Sequence, residues 1–531
     1  MSVDNRTLLN AASAATGWVG DDTATPTSNA GDFYEGGSAL STQLSNALER
    51  MITTSIGGTR DLSAASVWML AKDNLAAAKA SGGHQIVLFD GTDEVGFYCN
   101  GNDSPGLSLP VYYNCLKLDV SNRAVLSNNA YAGSAGALTV TAITGVGYGT
   151  IHNSKAVGAI DNVFMDASRF ILNTSYALTI NGGTSGTPET WADVADDDVT
   201  NGWGMVSNLQ GSKYDINASW QWGDVANADS YFVDSDFQVY IDARDMGAGN
   251  FIVRTIAGSG TNVLQLSNGL FQNLGTPVVW NLSDPDMNTL AFQSITWTDA
   301  GAITGPAAAG GKYFRSCIFN NCAQIDFSTV EVTDCIFNGT TDALGAIILN
   351  GGVSPLGSKT DNYSGLIFNS DGAGHAVYIT APGTYELVGW QFNGYGGSPE
   401  ANAAIYNNSG GLVTLNISGA GDTPTIRNGA GASTVINNNV QVTITNIQPG
   451  TEVRVYTVES PINTTAIAGV ESTGSPSEFT FSAAAGQIVD IVVFNIDYVL
   501  PPDNRIRNFQ VPTADTSFPI SQIVDRNYFN P

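Results

Sequence analysis

Three carboxylates in the middle of this 531-residue chain, Asp326, Glu331 and Glu386, are the acids whose spacing could serve glycosidic-bond cleavage. That chemistry needs two acids at a defined separation, one protonating the leaving oxygen and one acting as base or nucleophile. Thr329-Val330-Glu331-Val332 precedes Phe337-Asn338 at the same offset as Thr384-Tyr385-Glu386-Leu387 precedes Phe392-Asn393, so Glu331 and Glu386 are repeat-equivalent, with Asp326 and Asp334 near the first. A recurring Glu is also what a solvated outer face carries, and that is the plainer reading. Elimination chemistry would instead want a Lys, Arg, His or Tyr base beside the substrate. His375 stands alone, Lys and Arg are scarce around it, and His84 and His152 sit in no recognisable triad.

Oxygen ligands for Ca²⁺ could come from Asp196, Asp197 and Asp198, joined by Asp234, Asp236, Asp242 and Asp245. The competing reading is a solvated acidic loop, with no cofactor at all. Trp203, Trp220, Trp222, Trp390 and Tyr395 could stack on sugar rings or fill a core; Trp220 and Trp222, two apart, would share one face of a strand. The sequence contains no Cys-x-x-Cys pair, no Gly-x-Ser-x-Gly elbow and no phosphate-binding loop. Of the five cysteines, Cys99 and Cys115 flank a turn-rich segment and could meet, Cys317 and Cys335 share a repeat position that predicts a buried thiol ladder, and Cys322 has no evident partner.

The elements that would position these residues follow from a repeated word. Cys317-Ile318-Phe319-Asn320, Cys335-Ile336-Phe337-Asn338, Leu366-Ile367-Phe368-Asn369 and Trp390-Gln391-Phe392-Asn393 share an apolar residue, a spacer, Phe and Asn. Short strands such as Ala346-Ile347-Ile348-Leu349-Asn350, His375-Ala376-Val377-Tyr378-Ile379 and Ala404-Ile405-Tyr406-Asn407 lie between them. Repeats at tens of residues point to a solenoid. Stacked parallel strands about 4.8 Å apart would put like residues above one another, giving aromatic and amide ladders, with Asn in turns that need a left-handed backbone. The fold expected is mainly β: a parallel, right-handed β-helix of two or three strands per coil over 301–440. An antiparallel sandwich of hairpins is the alternative.

Around that core the chain divides further. Residues 1–38 read as an extended arm, ordered against a partner. Leu40, Leu44, Leu48 and Met51 recur at helical spacing behind Ser38 or Ser41, and 67–80 suggests a second helix; with the hairpin signal of Gln85-Ile86-Val87-Leu88-Phe89, Asp90-Gly91 and Val95-Gly96-Phe97-Tyr98, 39–125 would be a small α/β cap. Residues 126–300 are irregular all-β, either early coils or a separate sandwich, with excursions near 187–204 and 220–223. The longer alternating strands of 441–531 predict a C-terminal antiparallel β-sandwich and tail.

A net charge of −28 excludes the basic stripe that nucleic acid requires and disfavours anionic membrane surfaces. No run approaches the length of a membrane-spanning helix, and the polar start at residues 1–6 has no secretory-signal pattern.

The coils of 313–440 and the sandwich opening Val442-Thr443-Ile444-Thr445-Asn446-Ile447-Gln448-Pro449-Gly450-Thr451-Glu452-Val453-Arg454-Val455 resemble virion proteins of tailed bacteriophages, over about two thirds of the chain. The resemblance implies a homotrimeric structural protein of the virion: a tail fibre, spike, or capsid-surface fibre or decoration. It would contact other virion proteins through the N-terminal arm and mediate attachment to a host-surface glycan or reinforce the particle. Two alternatives stand beside it: a polysaccharide-degrading β-helix tailspike enzyme, and a bacterial surface adhesin.

Overall fold

The computed structural model describes residues 2–20, 26–30, 38–43, 49–73, 79–98, 114–121, 130–132, 137–152, 162–172, 176–196, 205–223, 229–243, 251–256, 260–284, 286–306, 311–351, 362–372, 374–396, 400–418, 421–458, 466–471, 473–474, 478–501, 503–512 and 515–525. Two compact units emerge, Met1–Lys312 and Tyr313–Pro531.

The first unit opens with two six-stranded sheets of antiparallel strands enclosing one core. In one sheet Ala65–Asp73 lies between Asn114–Asp119 and Asn162–Leu172; in the other Lys79–Phe89 lies between Glu94–Tyr98 and Gly145–His152. Alternation places Val67, Met69, Ile86, Leu88, Val95 and Phe97 inward. Of the helix expected on Leu40, Leu44, Leu48 and Met51, Leu40 and Met51 instead lie in strands, Ala39–Gln43 and Glu49–Thr53, and the described part of 67–80 lies in Ala65–Asp73 and Lys79–Phe89; Leu44, Leu48 and 74–78 lie outside the described residues. Leu40 and Met51 are buried in this core, so partner strands, not the 3.6-residue period, decided the local conformation. The cap is therefore β, and the predicted hairpin at Gln85 and Tyr98 is present. The N-terminal arm is also drawn in: Thr7–Asn10 pairs with Asn162–Leu172, and Ser2–Asp4 pairs antiparallel with Leu178–Ile180. That last pairing covers the backbone edge of the first coil, which an open solenoid end would leave unsatisfied.

From Leu178 this unit winds as coils of three parallel strands. Trp220–Trp222, Ile252–Thr255 and Val279–Asn281 stack on one face, Ser230–Ser235, Asn262–Ser267 and Thr289–Gln293 on a second, and Gln238–Asp242, Leu270–Leu274 and Thr296–Thr298 on the third, all in register. The latter part of the irregular 126–300 region is thus solenoid, and the earlier part belongs to the antiparallel module. Inside the coils the short helix Trp191–Asp196 inserts Trp191 among Trp220, Trp222, Phe232, Phe237 and Phe271, at ring separations of 5.0 to 6.3 Å. Thr190 and Asp193 bond reciprocally at its start, a capping box.

The second unit carries the Phe-Asn words. Phe319 pairs with Phe337, Phe337 with Phe368, and Phe368 with Phe392 on consecutive parallel strands. Their rings stack at 5.0, 4.7 and 5.5 Å with interplanar angles of 10°, 12° and 8°. Beside them the Nδ2 groups of Asn338, Asn369 and Asn393 each donate to the Oδ1 of the preceding asparagine, at 2.8, 2.7 and 2.9 Å. These asparagines lie within strands. One left-handed residue of each coil comes three positions before the Phe, at Ser316, Asp334, Gly365 and Gly389, with φ of 52°, 54°, 64° and 68°. A second left-handed residue directly follows three of the words, at Asn321, Gly339 and Gly394 with φ of 51°, 70° and 79°, so the turn expected at Asn falls one residue after it. At Gly365 an added Cβ would also lie 2.3 Å from Asp334 Oδ1. Cys317 and Cys335 are buried free thiols, and burial pushes the Cys335 thiol pKa up. The Cys99 and Cys115 side chains lie outside the described residues.

Strand Ser433–Thr445 makes the transition to the C-terminal module. Its first half pairs parallel with Leu412–Ser418 and its second half antiparallel with Phe479–Ala484. A second sheet, Ala468–Val470, Glu452–Thr457, Ile488–Phe494 and Arg505–Gln510, shares its core of Val442, Ile444, Val453, Phe481 and Ile491.

Because Phe337 is fully enclosed between two stacked rings, Phe337→Ala should lower unfolding free energy by about 3–5 kcal/mol, read from urea denaturation of the full chain. Gly365→Ala should cost upwards of about 1 kcal/mol from backbone strain alone.

Candidate functional site: the outward tyrosine stripe

The triplet strands of one face of the second unit are Ile347–Leu349, Val377–Ile379, Ile405–Asn407 and Ile426–Asn428; the first three bury their first and third residues, while in the last Ile426 is half-buried and Asn428 exposed. Their middle residues face outward and stack in register as Ile348, Tyr378, Tyr406 and Arg427. Tyr378, Tyr406 and Arg427 are all half-buried. The two tyrosine rings lie 5.4 Å apart, and the Arg427 guanidinium sits 4.3 Å over the Tyr406 ring. Asn408 Nδ2 donates to the Tyr378 hydroxyl at 2.9 Å, fixing the phenol's direction.

Behind this stripe lies His375, with no exposed surface. Its Nδ1 is 2.6 Å from the Ala403 carbonyl and its Nε2 3.3 Å from Arg427 Nη1. The carbonyl can only accept and the guanidinium can only donate, so the neutral tautomer with its proton on Nδ1 satisfies both. Burial first, and the Arg427 charge with it, hold the imidazole pKa below its usual value of 6.5, against the opposing pull of the Ala403 carbonyl. His375 thus anchors the guanidinium that covers Tyr406. A ridge of phenol faces, an amide fringe and one fixed cation can bind a ring with an apolar face and hydroxyl edges.

The predicted acids are placed differently. Glu331 and Glu386 lie on one outward ladder of another sheet, two coils apart, with Asn362 between, hence roughly 10 Å along the stack. Both are occupied: Arg315 donates Nε and Nη2 to Glu331 at 2.7 and 2.9 Å while stacking on Tyr313 at 4.1 Å, and Asn416 Nδ2 donates to Glu386. Asp326 is on the tyrosine face, at the stripe position preceding Ile348. Burial raises its pKa, opposed by hydrogen bonds from the Ser328 backbone and from Asn350 Nδ2 at 2.6 Å. Asp334 occupies a left-handed corner.

Trp220, Trp222 and Trp390 are core residues, and Tyr395 is half-buried with its hydroxyl pKa raised by burial. Asp196 ends the short helix; its side chain, Asp197, Asp198, Asp245, Trp203 and the side chains of His84 and His152 lie outside the described residues. Asp234 accepts the Trp191 backbone N–H, Asp236 forms a corner, and Asp242 ends a strand. Among the described residues no group of three or more His, Cys, Asp or Glu is set to hold a metal. No helix among them is long and apolar enough to cross a membrane.

No family model matches this sequence, and no curated protein matches it. Solved structures give local likenesses. An exo-beta-agarase aligns over 30% of this chain and 23% of its own length, at 10% identity and a TM-score of 0.21. The cellulose-induced protein Cip1 aligns over 29% and 91%, at 15% identity and 0.19. The catalytic unit of a GH87 alpha-1,3-glucanase from Streptomyces thermodiastaticus strain HF3-3 aligns over 80% and 95%, at 11% identity and 0.16. The chain thus spans about a quarter of the agarase's length.

The unfolded His375 takes up a proton at higher pH than the folded one. Its contribution to stability is therefore complete above pH 6.5 and lost as the pH falls below that value. Urea midpoints measured between pH 7.5 and 5 should fall, and His375→Gln should flatten that decline.

Proposed function

We propose that this chain is a structural β-helix protein of a tailed-bacteriophage particle, a fibre, spike or capsid-surface projection, that attaches to a saccharide of the host surface through the Tyr378–Tyr406–Arg427 stripe. The observation that carries the attachment reading is the guanidinium locked over an outward tyrosine by a buried neutral histidine. Ordering the cation and the rings before the ligand arrives lowers the entropic cost of binding. The in-register stacking of Phe319, Phe337, Phe368 and Phe392 supports the particle role, since each coil braces the next. Self-association as a homotrimer and contacts with other virion proteins belong to the same proposal, and an adhesin role on a bacterial surface would use the same stripe.

A second reading rests on Asp326. A half-buried carboxyl with a raised pKa, on the same face as the tyrosines, has the character of a general acid, and a polysaccharide-degrading enzyme would use it so. Against that reading, Glu331 and Glu386 lie on a different sheet and are already bonded.

Tyr406→Ala should weaken binding to host cells or their purified surface glycans at least tenfold without lowering the melting temperature by more than a few degrees. Unchanged binding would remove the stripe from the function. Immunogold labelling of particles tests the virion role. Release of reducing ends or unsaturated sugars by wild-type protein, abolished in Asp326→Asn, would establish the enzyme instead.

A further inference from the structure

The antiparallel module of the first unit holds a cavity of about 430 Å³ that has no part in the proposed attachment. Its walls are Val19 and Ile52 on one side and Phe89 on the other, with Arg50 and Glu94 also lining it. The sheet order sets the strands that form the cavity's walls. Strand Gly145–His152 runs between Glu49–Thr53 and Lys79–Phe89, and places Gly145 opposite Phe89, Gly147 opposite Ile52 and Gly149 opposite Arg50. Its alternate residues Val146 and Tyr148 enter the core, so the three glycines share the outer face. A strand without side chains on one face marks a place where something approaches closely, and here the neighbouring strands do so, bringing Ile52 and Phe89, two of the cavity's walls, over the glycines. At Gly147 a Cβ would lie 2.2 Å from the Met51 carbonyl and 2.9 Å from Ile52 Cγ1.

Over that bare strand the Arg50 Nη1 reaches Glu94 Oε1 to form an ion pair, with only 13% of the Arg50 side chain exposed. Arg50 Nε is buried and has no hydrogen-bond partner among the described residues. An unsatisfied guanidinium N–H at this depth is costly and is relieved by an acceptor. The Arg50–Glu94 pair leaves no net charge to attract an ion, and a neutral ligand can accept from Arg50 Nε and donate to the remaining lone pairs of Glu94. Val19, Ile52 and Phe89 meanwhile present apolar surface to a ring face.

We propose that this cavity binds a neutral saccharide of one or two rings, its hydroxyls bridging Arg50 and Glu94 and its C–H face lying on Phe89 and Ile52. The volume lies within the usual range for small-ligand sites, about 300–1,000 Å³. Val19, 71% exposed at the rim, is where access can be closed without touching the core.

The test is ligand-observed saturation-transfer NMR on the full chain with glucose, galactose, mannose, N-acetylglucosamine, maltose and lactose. At least one sugar should receive saturation from the wild-type protein. The signal should fall at least tenfold in Val19→Trp, with unchanged melting temperature, and in Glu94→Gln, measured below that variant's own melting temperature, and persist in Tyr406→Ala. Absence of transfer from every sugar, or transfer that survives Val19→Trp, overturns the proposal. Loss in Tyr406→Ala with retention in Val19→Trp would assign the sugar to the tyrosine stripe and overturn it equally.

Discussion

Parallel strands stacked in register, one coil per rung, are the constraint on which the rest depends. At about 4.8 Å per rung each side chain meets the residue at its own position one coil away, so any position must hold a residue type that packs or bonds with itself. Phe319, Phe337, Phe368 and Phe392 satisfy this by near-parallel stacking, and Asn320, Asn338, Asn369 and Asn393 by amide-to-amide bonds. The same rule runs along the outer ladder of Glu386, Asn416 and Asn437, where each amide donates to the side chain one coil back. A chain with few charges and many amides is suited to this, because like charges on adjacent rungs would repel while like amides attract.

Stacking alone does not close a coil. The corner before each word requires a left-handed residue, supplied by Asp236, Asn268 and Ser294 in the first unit and by Ser316, Asp334, Gly365 and Gly389 in the second. Short polar residues and glycine are the types that tolerate this conformation. In the first unit the coil interior is dominated by tryptophan, and Trp191, Trp220, Trp222 and Trp280 bury indole N–H groups that have no hydrogen-bond partner among the described residues. Their mutual edge-to-face arrangement, such as Trp220 and Trp280 at 5.8 Å and 85°, lets ring edges meet π faces and offsets part of that loss.

On the coils, the residues proposed for attachment stand at outward positions, where the stacking rule leaves side chains free to differ. On the tyrosine face the outward position runs from Asp326 through Ile348 to Tyr378, Tyr406 and Arg427. That change of chemistry along one stripe is possible because the flanking residues, such as Val377, Ile379 and Ile405, carry the packing. The Asn350–Asp326 and Asn408–Tyr378 bonds repeat one diagonal pattern with different acceptors. The fold thus supplies the geometry of a ladder and leaves its chemistry to individual residues.

The repeated Phe-Asn word pointed, in the sequence alone, to parallel coils over a sandwich of hairpins, because stacking makes like residues recur. The equivalence of Glu331 and Glu386 was legible for the same reason; period-two alternation put Trp220 and Trp222 on one face and marked the switch to longer strands after Asn439, while only the structure turned the tryptophans inward. The left-handed corner was hidden because Ser, Asp and Gly are interchangeable there, so no single letter recurs. Tyr378 and Tyr406 lay in strands whose likeness was visible, but Arg427 joins them only through register across loops of unequal length, and His375 acquires its role only by meeting Ala403 and Arg427 from other coils. The N-terminal module departs furthest from its sequence pattern. Leu40, Leu44, Leu48 and Met51 carry a helical spacing, yet the strands Ala39–Gln43 and Glu49–Thr53 are set by distant partners such as Asn162–Leu172 and Gly145–His152, and long-range backbone pairing outweighs a local period of side chains.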